Sequence, residues 1–568
     1  MKSRLPGNTS DLLNSSWADF EDAARELAEA ELNADNLQAW MADWSTIASK
    51  AMELYSRLYC DTTLRTNDKT VEECFTRFMD EFFPKMMEAD QRLKEKLLAS
   101  GLEPEGFSVP LRNMRAEAAL FRQENLPLIS ETQKLSKEYD KIVGSQTVQW
   151  DGQEVTLSQL RPVYLEQDRN RREAAWRLSM QRWDDDRDKI SEVWQKLLPL
   201  RLKIASNAGY GDYRSYSWQD RQRFDYTPAD CMVFHNAIEE VVVPAAKRIY
   251  ERRRQMMGLD TLRPWDVDVD PTGLPALKPF SSVEELTQKS EAIFHHVDPV
   301  LGGYFSTMVR ENLLDLGNRK HKAPGAYSMD LPDIKRPFIF ANAVGVHDDV
   351  ATILHESGHA FHYFESSRLP YYQQVNPPME FAEVGSMAME LLAAPYMTAQ
   401  FGGFYTSSEA ARARIEHIEG NILFWPYMSV VDSFQHWVYK NPDAALDADT
   451  CDRVYGEIYD RFMPGVDWSG FDQFKVSRWQ RQKHILEYPF YYIEYGLAQL
   501  GATLIYGNAV KDQKSAVASY RKALALGGTA TLPDLFKTAG ARLAFDSGTL
   551  KEAIDLLEAE VEKLQQLM

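Results

Sequence analysis

Two histidines and a glutamate within five residues are the part of this chain best suited to chemistry. They lie in Ala351-Thr-Ile-Leu-His355-Glu356-Ser-Gly-His359-Ala-Phe-His362. The spacing predicts a helix. On it, His355 and His359 share one face, so both imidazoles can reach a single metal ion. Glu356 projects beside that face, where it can hold a water against the metal and take its proton. A carboxylate at Asp348 or Asp349 would cap the free N–H groups at the helix start. With eleven histidines among 568 residues, chance supplies only on the order of 0.02 such His-Glu-x-x-His runs.

A catalytic zinc usually takes three protein ligands and keeps one position open. A continuation with Gly at 362 and His at 365 would supply the third ligand, but the chain has His362 and Glu365. The next candidate is the apolar run Pro378-Met-Glu380-Phe-Ala-Glu383-Val-Gly-Ser-Met-Ala-Met-Glu390-Leu-Leu, which reads as a helix returning after a loop. A carboxylate in such a setting is costly unless it is paired or binds metal. Glu383 is therefore the expected third ligand. Glu390, two turns further along the same face, is placed to hydrogen-bond a ligand histidine. Glu380 is the competing carboxylate, and reads as a first-turn acid favoured by the helix dipole.

Attack of activated water on a peptide carbonyl creates an oxyanion, which neutral donors aimed at it stabilise. The run His484-Ile-Leu-Glu487-Tyr488-Pro489-Phe490-Tyr491-Tyr492-Ile-Glu494-Tyr495-Gly496 offers such donors. Pro489 is expected to begin a helix, leaving His484 and Tyr488 just before it. Tyr495 and then Tyr488 are the favoured oxyanion donors, with Tyr491 and Tyr492 as alternatives. Residues 325–345 switch to a strand pattern directly before the metal helix, so a small sheet should wall the cleft. An extended peptide can add to the edge of such a sheet through its main chain.

The run Pro337-Phe-Ile-Phe-Ala-Asn342-Ala-Val-Gly345-Val-His-Asp348-Asp349 into His355-Glu356-Ser-Gly358-His359, with Phe381-Ala-Glu383-Val-Gly-Ser, resembles the thimet oligopeptidase superfamily. Its oligoendopeptidase F branch is the most similar. The resemblance is strongest over about 320–500. It implies a mostly helical zinc endopeptidase whose site lies deep in a channel admitting short peptides. Carried over, His355, His359 and Glu383 match the zinc ligands and Glu356 the general base. Gly325, Ala326 and Tyr327 match a segment lining the cleft, and Asn342 and Gly345 fall in the matching run beside it. The superfamily also uses a His and two Tyr spaced by seven, as Tyr488 and Tyr495 are. This chain lacks the Gly-Gly loop of the thimet and neurolysin branch, carrying Tyr488-Pro489-Phe490 instead.

The rest of the chain must position these groups. It is expected to be mainly α: an N-terminal helical domain, 1–205, covering the channel, and a catalytic domain, 206–568. Long helices are predicted over 113–143, 158–182, 187–207, 228–258 and 282–312, with a hairpin at Thr147–Thr156 turning on Asp151-Gly152. Asp184-Asp185-Asp186 reads as a solvated cap. His417 and His436 read as core or surface histidines. The net charge of −20 argues against nucleic-acid binding and against docking on anionic membranes. Cys60, Cys74, Cys231 and Cys451 form no paired motif and read as reduced thiols. No apolar leader follows Met1, and no run is long enough to span a membrane. The expected location is cytoplasmic, the cofactor one Zn2+, and the substrate a short peptide. The alternatives are a zinc carboxypeptidase or other exopeptidase, or a non-catalytic peptide-binding protein with a structural zinc. The intact Glu356 speaks against the last, since a structural site needs no base.

Overall fold

The computed structural model describes residues 5–568; Met1–Arg4, where the stretch read as lacking a leader begins, lie outside the described residues. The fold is mainly α, with two small sheets. Helices run from Thr9 to Gly144, including the long α1 (Leu37–Leu64). The expected hairpin follows as β1 (Thr147–Trp150) and β2 (Gln153–Thr156), paired Thr147↔Thr156 to Trp150↔Gln153. Its turn uses left-handed backbone at Asp151 (φ 50°) and Gly152 (φ 79°), as a two-residue hairpin requires. Among the described residues, no helix is long and apolar enough to cross a membrane.

Several expected helices are interrupted, each by local chemistry. The stretch 113–143 is two helices, Ser108–Leu120 and Leu126–Gly144, with extended backbone at Phe121 and Pro127 opening the second. The stretch 158–182 is a 3-10 turn, Leu157–Leu165, followed by Arg169–Asp185, which Asp168 caps. The stretch 282–312 breaks at Asp298-Pro299, where the Asp298 carboxylate accepts from Val300 and Leu301. Periodicity is blind to these breaks; Pro constrains the residue before it and a side-chain cap starts a new helix. Asp186 is buried, not solvated, and accepts from Arg182, Lys189 and Gln146.

The second sheet has the order β3-β5-β4, formed by β3 (Leu314–Gly317), β4 (Tyr327–Leu331) and β5 (Arg336–Ala343). The strand β3, parallel to β5, was not expected; β4 pairs antiparallel with β5 and forms an edge. After the sheet come α2 (His347–Ser366), α3 (Met379–Ala393), α4 (Ser407–Lys440) and α5 (Tyr492–Lys511). Residue 205 lies inside the helix Arg187–Asn207. The two main apolar clusters part between Met114 and Leu135, one gathering Leu5 to Met114 and the other Leu135 to Leu564.

Under α3 and α5 lies a buried ionic knot. Arg223 pairs with Glu494 (2.6 Å) and stands 3.6 Å from Glu380, which also accepts from the Tyr226 hydroxyl (2.7 Å). Glu380 is thus a buried, paired first-turn acid. Arg223 also donates to the Phe490 carbonyl. Replacing it would leave Glu380 without its cation and Glu494 with only the longer contact to Arg221 (3.4 Å). Arg223→Met is expected to lower stability by about 3–5 kcal/mol, the usual result of halving a buried pair. Denaturant unfolding checks this, and a loss no larger than that of a surface substitution would show that the knot is dispensable.

Candidate metal centre

The site is made by one close helix crossing. A Cβ on Gly358 of α2 would lie 2.5 Å from Ser386 Cα and 2.8 Å from the Gly385 carbonyl of α3, so only glycine fits there. That approach carries Glu383 to the histidines, with its Oε2 3.5 Å from His355 Nε2 and 3.6 Å from His359 Nε2. Zinc bonds of about 2.0–2.1 Å in tetrahedral array set ligand atoms about 3.4 Å apart, so the three groups fit that ion. Burial pushes His355 down, but Glu383 and Glu390 outweigh it and hold it up to about 10, so a metal ion binding there would have to displace its proton. Burial pushes the His359 imidazole down to about 4, keeping it neutral as a ligand must be. Glu383 is pushed up by burial but held below its ordinary range by His355 and His359.

The α2 start lies slightly earlier than expected. The helix begins at His347, and Asp349 turns back to accept from Val344, Gly345 and Val346 at 2.8–3.0 Å. Gly345 takes φ 97° in that turn.

Glu390 accepts from His355 Nδ1 across 2.7 Å, leaving Nε2 for the metal. Its other oxygen meets His417 Nε2 at 2.8 Å. Burial pushes Glu390 up, but these two imidazoles outweigh it and hold it down to about 2. His417, read as core or surface, is therefore part of a chain that ends on a ligand. It lies on α4, and its sequence neighbourhood carries no sign of the contact.

Glu356 is 8% exposed, and burial pushes it up to about 7. The backbone N–H of Ser328 in the edge strand β4 donates to its carboxylate. The expected cleft segment lies beside it. Asn342 holds that segment by donating to the Ala323 and Gly325 carbonyls at 2.7 and 2.9 Å. Gly325, at φ 97°, has open space around it, and Ala326 follows it just before β4. The Tyr327 ring stacks on Phe340 at 4.8 Å and its hydroxyl meets Thr63 of α1 at 2.6 Å.

His484 and the tyrosines come together, with a changed local structure. His484 sits in a short helix of its own, Lys483–Glu487, and α5 begins at Tyr492 rather than at Pro489. The cause is Phe490, whose left-handed φ of 62° cannot continue a helix. The His484 ring lies 4.9 Å from Tyr492, 5.8 Å from Tyr491, 6.0 Å from Tyr495 and 6.2 Å from Tyr488. The Glu383 charge acts on Tyr491 and Tyr495, and burial raises both, Tyr495 to about 12. Tyr488 is 49% exposed, and Tyr492 faces Phe424 and Tyr427. His484 is pushed down to about 4 by burial and then by Arg221 and Lys483, so it is neutral.

Residues 164–554 match the profile described as Peptidase family M3. An oligoendopeptidase F homolog of Borreliella burgdorferi is 23% identical over 60% of this chain and 57% of its own length. Oligopeptidase PepF of Bacillus subtilis is 20% identical over 59% of this chain and 49% of its own. The match thus spans about half the length of these curated relatives. Among solved structures, PZ peptidase A with an inhibitor aligns over 99% of both chains at TM-score 0.86 and 27% identity.

The Glu390 contact gives a direct test. Glu390→Gln is expected to weaken metal retention by about 10- to 100-fold, as loss of a partner behind a ligand histidine does. Competition with a chelator measures it, and unchanged retention would remove Glu390 from the centre.

Proposed function

The chain belongs to peptidase family M3, and we propose that it is a zinc endopeptidase that cuts internal bonds of short peptides. The observation that carries this reading is an ionisable Glu356 beside three ligand groups already spaced for one zinc. Held by His355, His359 and Glu383, the zinc would polarise a peptide carbonyl and make water acidic enough to attack. Glu356 takes the proton of the attacking water and passes it to the leaving nitrogen. His484, neutral and hydrogen-bonded to Gln482 through Nδ1 (2.7 Å), can donate only if its other nitrogen carries the proton. Tyr495 and Tyr491, near Glu383, are placed to donate to the oxygen that becomes negative, with Tyr488 free to swing in from the surface.

The substrate would lie along β4, near Gly325, Ala326 and Tyr327, with Asn342 and Gly345 shaping the floor and Tyr492 the far wall. In this reading residues 1–205 cover the channel, and 206–568 carry the chemistry. The cysteines are all free, in keeping with a cytoplasmic location.

Cleavage of a short, internally quenched peptide blocked at both ends tests the proposal. Wild type should cut it at an internal bond. Glu356→Gln should keep one zinc per chain and lose about 10²- to 10⁴-fold in kcat, the share of a general base. A mutant as fast as wild type would sink the mechanism, and a zinc-loaded wild type that leaves the blocked peptide intact would sink the endopeptidase. The pH profile is a further check. Burial pushes Glu356 up to about 7, and a cation beside it pulls it back towards its ordinary 4.5. The base works only when ionised, so kcat/KM should rise with pH through that interval and level off above it.

A further inference from the structure

Away from the metal centre, a cavity of about 320 Å³ lies between the Leu157–Leu165 turn, the helix Arg169–Asp185 and the turn Ser477–Arg481. Arg161, Arg478 and Arg481 line it together with Tyr164, Tyr427 and Ser179, and no carboxylate does. In a chain of net charge −20 this concentration of positive charge is out of character. Among the described residues, none of the three arginines forms an ion pair within 4.0 Å. Arg481 donates to the Phe474 carbonyl and to Met180 Sδ, and its Nε is buried without a partner. The Arg478 Nε is likewise buried and unpartnered. Its guanidinium lies among the rings of Trp468, Tyr459 and Tyr427 at 5.6, 5.8 and 5.9 Å. Asp268, outside the lining, acts on Arg161, Arg253 and Arg478 at once. Neighbouring guanidinia in the interior are costly without a counter-charge, and burial followed by Arg478 pulls Arg481 down to about 9. An anion bound there would supply that counter-charge. A lone halide would leave most of it empty, since a single water occupies about 30 Å³ in the liquid.

The cavity also touches the catalytic side of the fold. The Tyr427 hydroxyl donates to Gln482 Oε1 at 2.9 Å, and the Gln482 amide meets His484 Nδ1 at 2.7 Å. The Tyr427 ring packs edge-on against Tyr492 at 6.1 Å. An anion that drew on Arg478 or on the Tyr427 phenol would change the hydrogen bond that orients His484.

We propose that Arg161, Arg478, Arg481, Tyr164 and Tyr427 form a binding site for a small multivalent oxyanion, whose occupancy is relayed to His484 through Tyr427 and Gln482. The shared chemistry is two or more adjacent negative oxygens, from a phosphate ester or from a polycarboxylate. Binding itself does not depend on the proposed peptidase reading; the relay does.

Calorimetric titration of the intact zinc-loaded protein with pyrophosphate and with citrate, at fixed ionic strength and against chloride, tests the site. One equivalent of pyrophosphate or citrate should bind, and the tighter of the two identifies the source of the oxygens. Arg478→Gln should weaken binding by about tenfold or more, the loss of one charge-assisted hydrogen bond. Arg161→Gln, at the exposed rim, should do the same with no threat to folding. Saturation should change kcat/KM of wild type for the blocked peptide, and Arg161→Gln should need about tenfold more anion for the same change. Binding no better than chloride, or equal in wild type and both variants, would overturn the site. Binding that leaves the wild-type kinetics unmoved would overturn the relay, and absence of peptide cleavage with binding intact would fault the peptidase reading alone.

Discussion

The contact on which the rest depends is the approach of two helix backbones at Gly358 and Ser386. Both α2 and α3 are heavily apolar, and both bury most of their length. Such helices ordinarily stand 8–10 Å apart between axes. A side chain at 358 would push α3 outwards and take Glu383 away from the histidines. The same helix, besides Glu380, must then place two more carboxylates inward, which is tolerable only because each meets imidazoles: Glu383 those of His355 and His359, Glu390 those of His355 and His417. Packing and electrostatics are therefore one problem here. A metal ion held there would remove the remaining cost by giving Glu383 a full positive partner.

The other wall of the site is set from far away in sequence. Three contacts from α1 hold the β4 edge and its turn: Lys50 to Asp333 (2.8 Å), Glu53 to the Ile334 N–H (2.9 Å) and Thr63 to Tyr327 (2.6 Å). Through Ser328, β4 in turn holds Glu356. The base is thus fixed from both sides, by its own helix and by a strand that an N-terminal helix braces. Any relative movement of α1 and the sheet would be felt at Glu356.

The grouping of His355, His359 and Glu383 was legible because the histidine spacing is the helix repeat itself, and because a carboxylate in an apolar run has few reasons to be there. Glu390 was legible for the same reason. His417 was not: it is reached across the fold, and a single histidine on a long helix carries no period to read. The small sheet was legible from the strand pattern before α2, but β3 is only four residues long and pairs in parallel across a long connection. The broken helices follow the same rule. Apolar spacing continues across Phe121 and Asp298, while what interrupts it is extended backbone ahead of Pro127 in the first case and the Asp298 side-chain cap in the second.

The His484 region shows why helical spacing misled at one point and still picked out side chains that lie together. A continuous helix would align 484, 488, 491 and 495, and the chain instead turns sharply at Phe490, a non-glycine residue in the left-handed region. Such a conformation costs on the order of 1–3 kcal/mol and persists only where its surroundings impose it. They do so here: the Phe490 ring is fully buried against Trp218, His436 and Tyr439, its N–H donates to Gln435, and its carbonyl accepts from Arg223. The strain has a consequence for placement. It lets a short helix bring His484 into the same cluster as tyrosines on α5, which a straight helix would space along its axis. Arg223, which holds Phe490, also pairs with Glu494 of α5 and stands against Glu380 at the start of α3. One buried guanidinium therefore ties the tyrosine cluster to the helix that carries the third metal ligand, and sets the distance between the group that would hold the ion and the groups that would face the oxyanion.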